Sequence, residues 1–304
     1  MGVSSVSPSP WLQRLAWANL VANIGIVLTG GAVRLTGSGL GCPTWPSCTE
    51  ESLVPHQALG INGAIEFGNR MLTFVLTAVA VACFVVALRS GERLATRLSA
   101  GIALGIPAQA VIGGITVLTD LNPWIVAFHL LVSMAMIGLC VWLVATVRGG
   151  PVDRTPAATR RLAWLIFAVG WVVLYLGTVV TGSGPHSGDA QSRRTGLDAQ
   201  VMSHLHASAV YVLVALTIGL VAVTVRTGQS RLRRAAVALL LVEVGQGFVG
   251  FLQYYLGVPS GLVAVHLLGA ALTSAALTWV VLGAGNVQRV SSGSSATATK
   301  SRLR

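Results

Sequence analysis

The sequence predicts an all-α integral membrane protein, with eight transmembrane helices forming two tandem four-helix bundles related by a pseudo-twofold axis along the membrane normal. Three observations carry that expectation. Of 304 residues, 54% are apolar and 10% charged, with a mean hydropathy of +0.75, where a soluble domain carries about 25% charged residues. Apolar segments long enough to cross a hydrocarbon core of roughly 30 Å recur along the whole chain. Matched residues in the two halves recur at one fixed offset. A hydrophobic surplus of this size excludes a cytosolic enzyme.

The spans fall at 15–33, 63–88, 98–118, 125–147, 162–182, 203–225, 235–256 and 262–284. The first reads as a membrane helix and not as a cleaved signal peptide, because no clear small-residue cleavage site follows it. Residues 1–14 and the linker 148–161 then share one side of the bilayer with a Ser/Thr/Ala-rich basic tail, 285–304, expected to be disordered. That side collects sixteen Lys and Arg residues, whereas the opposite side holds only Arg34, Arg193 and Arg194, and Arg70 lies in the second span. The positive-inside rule therefore places both termini in the cytoplasm of a multi-pass protein of the cell membrane. The net charge of +11 is mostly topology, so no nucleic-acid partner is expected. The bilayer is the first partner.

Gln109, Gly113 and His129 match Gln246, Gly250 and His266, each pair separated by 137 residues. Leu28-Thr29-Gly30 matches Val180-Thr181-Gly182 at 152, so the first outer loop, 34–62, has 15 additional residues. The halves are 15–147 and 162–284. Each has an even number of spans, so both insert in the same orientation.

His129, His206 and His266 all lie a few residues inside the outer end of an even-numbered span, at one depth of roughly 8–10 Å. Ionisable side chains in a span are costly and mark functional sites. In the second half, His206 and His266 on two helices are expected to face each other across one metal, without a local carboxylate or thiolate. Zinc asks for a tetrahedron of four ligands, whereas two axial imidazoles suit heme. In the first half, the offset that maps His129 onto His266 maps His206 onto Asn69, a poor iron ligand. An open axial position suits oxygen chemistry and two strong ligands suit electron transfer. One half thus reads as a cofactor site and the other as a reaction site. His204 reads as interfacial, and His56 and His186 as solvated loop residues.

Glu66 lies three residues before Asn69 on the same helical face. It reads either as a salt-bridge partner of Arg70 or Arg34, or as a base or electrostatic partner for charge developing on a bound macrocycle. Cys42 and Cys48 frame Pro-Thr-Trp-Pro-Ser on the oxidising side, where a disulfide is expected, structural or redox-active. Cys83 and Cys140 read as inert packing thiols. Gly37-x-Gly39-x-Gly41 follows a membrane helix outside the cell, which leaves a dinucleotide loop without support. Glu243 is a buried carboxylate with no evident role.

The run from Thr36 to Cys48, Glu66-Phe-Gly-Asn69-Arg70, His129, Leu205-His206 and His266 together resemble the heme A synthase family across all eight spans. The resemblance implies an oxidoreductase that converts a methyl group of heme O to a formyl group, giving heme A for terminal oxidase assembly. It implies that His206 and His266 ligate a resident heme b cofactor. The N-terminal half would bind heme O through His129, Asn69 and Arg70, with Glu66 as the catalytic acidic residue. Many family members carry His at the position of Asn69, so His129 is the one strong ligand here, as in actinobacterial-type members. Implied partners are heme O as substrate, an upstream heme O synthase, an unidentified electron acceptor, and a second copy of the chain in a homo-oligomer. The alternatives are a diheme b-type membrane cytochrome for electron transfer, or a heme transporter or chaperone.

Overall fold

The protein is described here from a computed structural model, which covers residues 9–149, 155–190 and 192–285. Arg154 in the linker and the basic tail with Arg289, Lys300, Arg302 and Arg304 lie outside the described residues. Among those described are eight long helices, α1 (Pro10–Leu35), α2 (Gly60–Ser90), α3 (Arg93–Leu118), α4 (Pro123–Arg148), α5 (Ala157–Ser183), α6 (Ala199–Arg226), α7 (Ser230–Tyr255) and α8 (Ser260–Ala284). All eight are long and apolar enough to cross a membrane, and the chain is a multi-pass membrane protein. A single 3-10 turn, Gln57–Leu59, leads into α2.

Seven helices contain their expected spans and mostly extend beyond them, while α7 ends at Tyr255, one residue short of its expected end at 256. Hydropathy marks the hydrocarbon zone, but the hydrogen-bonded backbone continues into the interface, where long cationic side chains reach water. Hence α3 begins at Arg93, five residues before the apolar run, and α5 takes in Arg160 and Arg161. At the N-terminal ends of two even helices, Pro123 sits in the first turn of α4 behind Asn122, whose side chain accepts from the Trp124 N–H, and Asp198 caps α6 by accepting from the Val201 N–H. Both devices satisfy first-turn donors that have no intrahelical partner. They start the even helices α4 and α6 a fixed distance above their histidines.

In the first half, α1 packs on α2, α2 on α3, α3 on α4 and α4 back on α1; α5 to α8 close the same way. The even helices of each ring are therefore diagonal, α2 opposite α4 and α6 opposite α8. The rings meet through α4 on α8, α1 on α8 and α4 on α5. A buried Ser274 hydroxyl on α8 donates to the Met134 carbonyl on α4 at 2.8 Å. Between the loop after α1 and the loop after α5, the Gly39 N–H donates to the Gly188 carbonyl at 2.9 Å. Arg34 donates from Nη2 to the Thr181 carbonyl at 2.9 Å and from Nε to the His186 carbonyl. The His186 ring bonds the Val258 carbonyl at 2.8 Å. That corrects the expectation of a solvated His186: its ring is half-buried and ties the α5–α6 loop to the α7–α8 loop. His56 is exposed as expected.

Candidate functional site

His129, His206 and His266 stand six, seven and six residues inside α4, α6 and α8. All three are half-buried. His206 and His266 project from diagonal helices toward each other, with ring centroids 6.4 Å apart and planes at 74°. Two imidazoles sharing one metal at a metal–nitrogen distance of about 2 Å have centroids about 6 Å apart. The His206 Nδ1–H donates to the Val173 carbonyl at 3.1 Å, which leaves the lone pair on Nε2, the tautomer a ligand needs. Nδ1 of His266 and Nδ1 of His129 are buried without a hydrogen-bond partner.

Each ring lies beside a helical glycine. A Cβ at Gly113 would meet His129 Cε1 at 3.3 Å, one at Gly250 would meet His266 Cε1 at 3.5 Å, and one at Gly177 would meet His206 Cε1 at 3.3 Å. Gly113 and Gly250 belong to the sequence repeat. Gly177 and its counterpart at the 152-residue offset, Gly25, escaped the sequence reading, although the Thr-Gly match four residues on points straight at them. A Cβ at Gly25 would meet nothing within 4 Å. Across from it, Asn69 is turned onto α1, where the Thr29 hydroxyl donates to its Oδ1 at 2.7 Å. Gln109 orders the ligand helix by donating to the His129 carbonyl at 3.1 Å and to Ser133 Oγ at 2.5 Å.

Glu66 is 5% exposed. Its Oε1 accepts from Arg70 Nη2 at 2.6 Å and its Oε2 from the Cys42 N–H at 2.6 Å. Of the two salt-bridge partners considered for it, the structure selects Arg70, while Arg34 is committed to the second half. Arg70 also donates to the carbonyls of Cys42, Thr44 and Ser47 at 3.0–3.1 Å. The pair therefore pins the Cys42–Cys48 loop to α2, and those two cysteines form a disulfide. Cys83 and Cys140 are buried free thiols. His204 is exposed, against the Tyr254 ring at 6.1 Å. Glu243, 3% exposed, accepts from the Thr217 hydroxyl at 2.9 Å, and its Oε2 has no hydrogen-bond partner.

The arrangement thus offers a two-imidazole centre in one half. The other half offers one imidazole on α4 and, on the diagonal helix α2, an amide engaged by Thr29 and a buried carboxylate that holds a disulfide loop. A family model described as a cytochrome oxidase assembly protein, COX15-CtaA, matches residues 13–186. The heme A synthase of Methylobacterium radiotolerans is 29% identical over 227 residues, covering 62% of this chain and 61% of that protein. That of Shewanella oneidensis is 26% identical over 202 residues, 62% and 59%. That of Lysinibacillus sphaericus is 31% identical over 183 residues, 55% and 57%. The chain spans less than two thirds of the length of these curated relatives.

Proposed function

The chain belongs to the COX15-CtaA family of cytochrome oxidase assembly proteins, and on that premise we propose that it is a heme A synthase, an oxidoreductase converting a methyl group of heme O to a formyl group. The observation that carries this reading is the inequality of the two halves. His206 and His266 stand at a metal-sharing separation, whereas the first-half position that repeats His206 is Asn69, an amide already engaged by Thr29.

In this reading, His206 and His266 hold a resident heme b, which supplies one-electron redox chemistry when bound. The Val173 carbonyl fixes the orientation of His206. Heme O is the substrate of the N-terminal half. His129 binds its iron, Asn69 and Arg70 border it, and Glu66 acts on charge developing at the methyl carbon or takes up its proton. A carboxylate has about four lone-pair sites, and the bonds from Cys42 and Arg70 leave room for a further donor. The Cys42–Cys48 loop covers this half from outside and limits access of water.

Both termini are assigned to the cytoplasm, and the outer loops to the opposite face, by the arginine distribution. Arg34 touches His186, its own equivalent at the 152-residue offset, which supports a pseudo-twofold axis between the halves 15–147 and 162–284. A heme O synthase is the upstream partner in this scheme. A diheme cytochrome would be served by a second imidazole at position 69, and Asn69 argues against it. The test is the pigment extracted from protein purified after co-expression with a heme O source. Heme O and heme A support the synthase, and heme B alone overturns it.

A further inference from the structure

Two consecutive glycines on α3 carry two aromatic rings. Gly113 is beside His129, and Gly114 is covered by Trp45 of the disulfide loop. A Cβ at Gly114 would stand 2.3, 2.6 and 2.7 Å from Trp45 Cδ2, Cε2 and Cγ, so the fused edge of the indole lies directly on the helix backbone. The loop that carries Trp45 is tied to α2 through Arg70. Trp45 thereby reaches from a loop held on α2 to α3, one residue from the glycine that His129 adjoins.

The second half differs at the matching position. The offset that takes Gly113 to Gly250 takes Gly114 to Phe251, an aromatic residue on α7 itself. A ring rooted in a helix cannot leave without unwinding it. A ring on a loop leaves by rotation about its own side-chain bonds while Arg70 still holds the backbone on either side, and this loop belongs to the longer outer connection that the second half lacks.

We propose that Trp45 is a substrate-contacting, movable wall of the N-terminal site. Heme O passes laterally between α2 and α3 when Trp45 lifts from Gly114, and the indole closes against the edge of the bound macrocycle. This rests on the heme A synthase reading and adds to it the route and the residue that controls it. A flat, apolar macrocycle with a long alkyl chain is suited to lateral passage from the bilayer, and an indole is suited to its edge. The half with Phe251 keeps its macrocycle, and the half with Trp45 exchanges it.

The test uses the full chain in lipid nanodiscs with its resident heme in place and heme O as the probe, followed by stopped-flow absorbance. Trp45→Ala should speed both association and dissociation of heme O, the latter about tenfold, as expected for losing one aromatic contact. Trp45→Phe should recover most of the slow dissociation. Gly114→Ala leaves the loop sequence and its disulfide intact but drives a methyl group into the indole. It should speed exchange in the same direction, and it keeps the proposal testable if Trp45→Ala fails to accumulate. In each variant the spectrum of the His206/His266 centre should be unchanged, and KM for heme O should rise more than kcat falls. Wild-type exchange rates in both Trp45→Ala and Gly114→Ala overturn the movable wall and leave the function standing. Wild-type protein that binds no heme O overturns both.

Discussion

Glu66 and Arg70 meet at 2.6 Å one turn apart on α2, and their pair faces the disulfide loop rather than standing alone in the span. A carboxylate or guanidinium isolated at mid-membrane costs about 2.5–3.5 kcal/mol. Here each neutralises the other, and Arg70 spends its remaining donors on three loop carbonyls. Glu66 therefore anchors the loop and is also the acidic group nearest Asn69 in sequence, two roles that mutation can separate.

Glu66→Gln should abolish heme A production or stall it at a hydroxylated intermediate, with heme b retained. Breaking the pair should also lower stability by on the order of 3 kcal/mol. Arg70→Gln loosens the same loop but leaves a carboxylate that still accepts from the Cys42 N–H, so it should keep measurable conversion. Chromatography of extracted hemes decides. Undiminished heme A from Glu66→Gln removes Glu66 from the site, and equal loss in both variants reduces it to an anchor.

His206→Ala or His266→Ala should eliminate the low-spin two-imidazole spectrum and most bound heme b. A single imidazole leaves the metal weakly held and the opposite Nδ1 or Nε2 without a partner. Val173 offers only its carbonyl, so no side-chain substitution there mimics the effect. A full low-spin spectrum in either variant refutes the ligand pair.

Asn69→His should fold, because the space beside Gly25 is open where the equivalent Gly177 receives His206. The cost is the Thr29 bond, about 1 kcal/mol. With heme O bound, a second low-spin signal should appear, and turnover should stay near that of the parent chain. An unchanged spectrum would place position 69 out of reach of the iron.

Replacing both Cys42 and Cys48 with Ser removes about 2–2.5 kcal/mol of chain-entropy stabilisation for so short a loop. Arg70 and the backbone bonds from Cys48 and Thr49 to the Ser52 carbonyl still hold the loop. The midpoint for thermal loss of bound heme should therefore drop while conversion continues. Turnover lost at a temperature where heme is fully retained would favour a redox-active disulfide. Alkylation mapping without reductant should label Cys83 and Cys140 only.

The eight helices were legible because a membrane span must satisfy its backbone internally and present an apolar surface, a property summed over neighbouring residues. His129 and His266 were legible because duplication preserved Gln109, Gly113 and His129 against Gln246, Gly250 and His266, and His206 because it stands at the same depth in an even-numbered span. Helix ends were less so, since interfacial arginines belong to the helix and not to the apolar run. The choice of Arg70 over Arg34 for Glu66, the anchoring of His186 on Val258, and Trp45 on Gly114 lay out of reach. Each depends on how a loop folds back over residues up to 72 positions distant, which shape decides and hydropathy does not record. Glu243 is legible and still unexplained: its repeat counterpart is Ile106, and one of its oxygens is unpartnered.

The bond from Ser274 to Met134 holds α8 and α4 against sliding, because a buried hydroxyl and carbonyl that part company in hydrocarbon find no water. His266 and His129 each stand six residues into those helices, which run in the same direction, so they lie within about one helical turn of a common level. Movement of a unit charge along the membrane normal is worth about 2.3 kcal/mol per 100 mV of membrane potential. Movement at constant depth is worth almost nothing. Charge passing between the two halves at the level of these histidines is therefore insulated from the voltage across the bilayer, and its rate should be the same in energised and de-energised membranes.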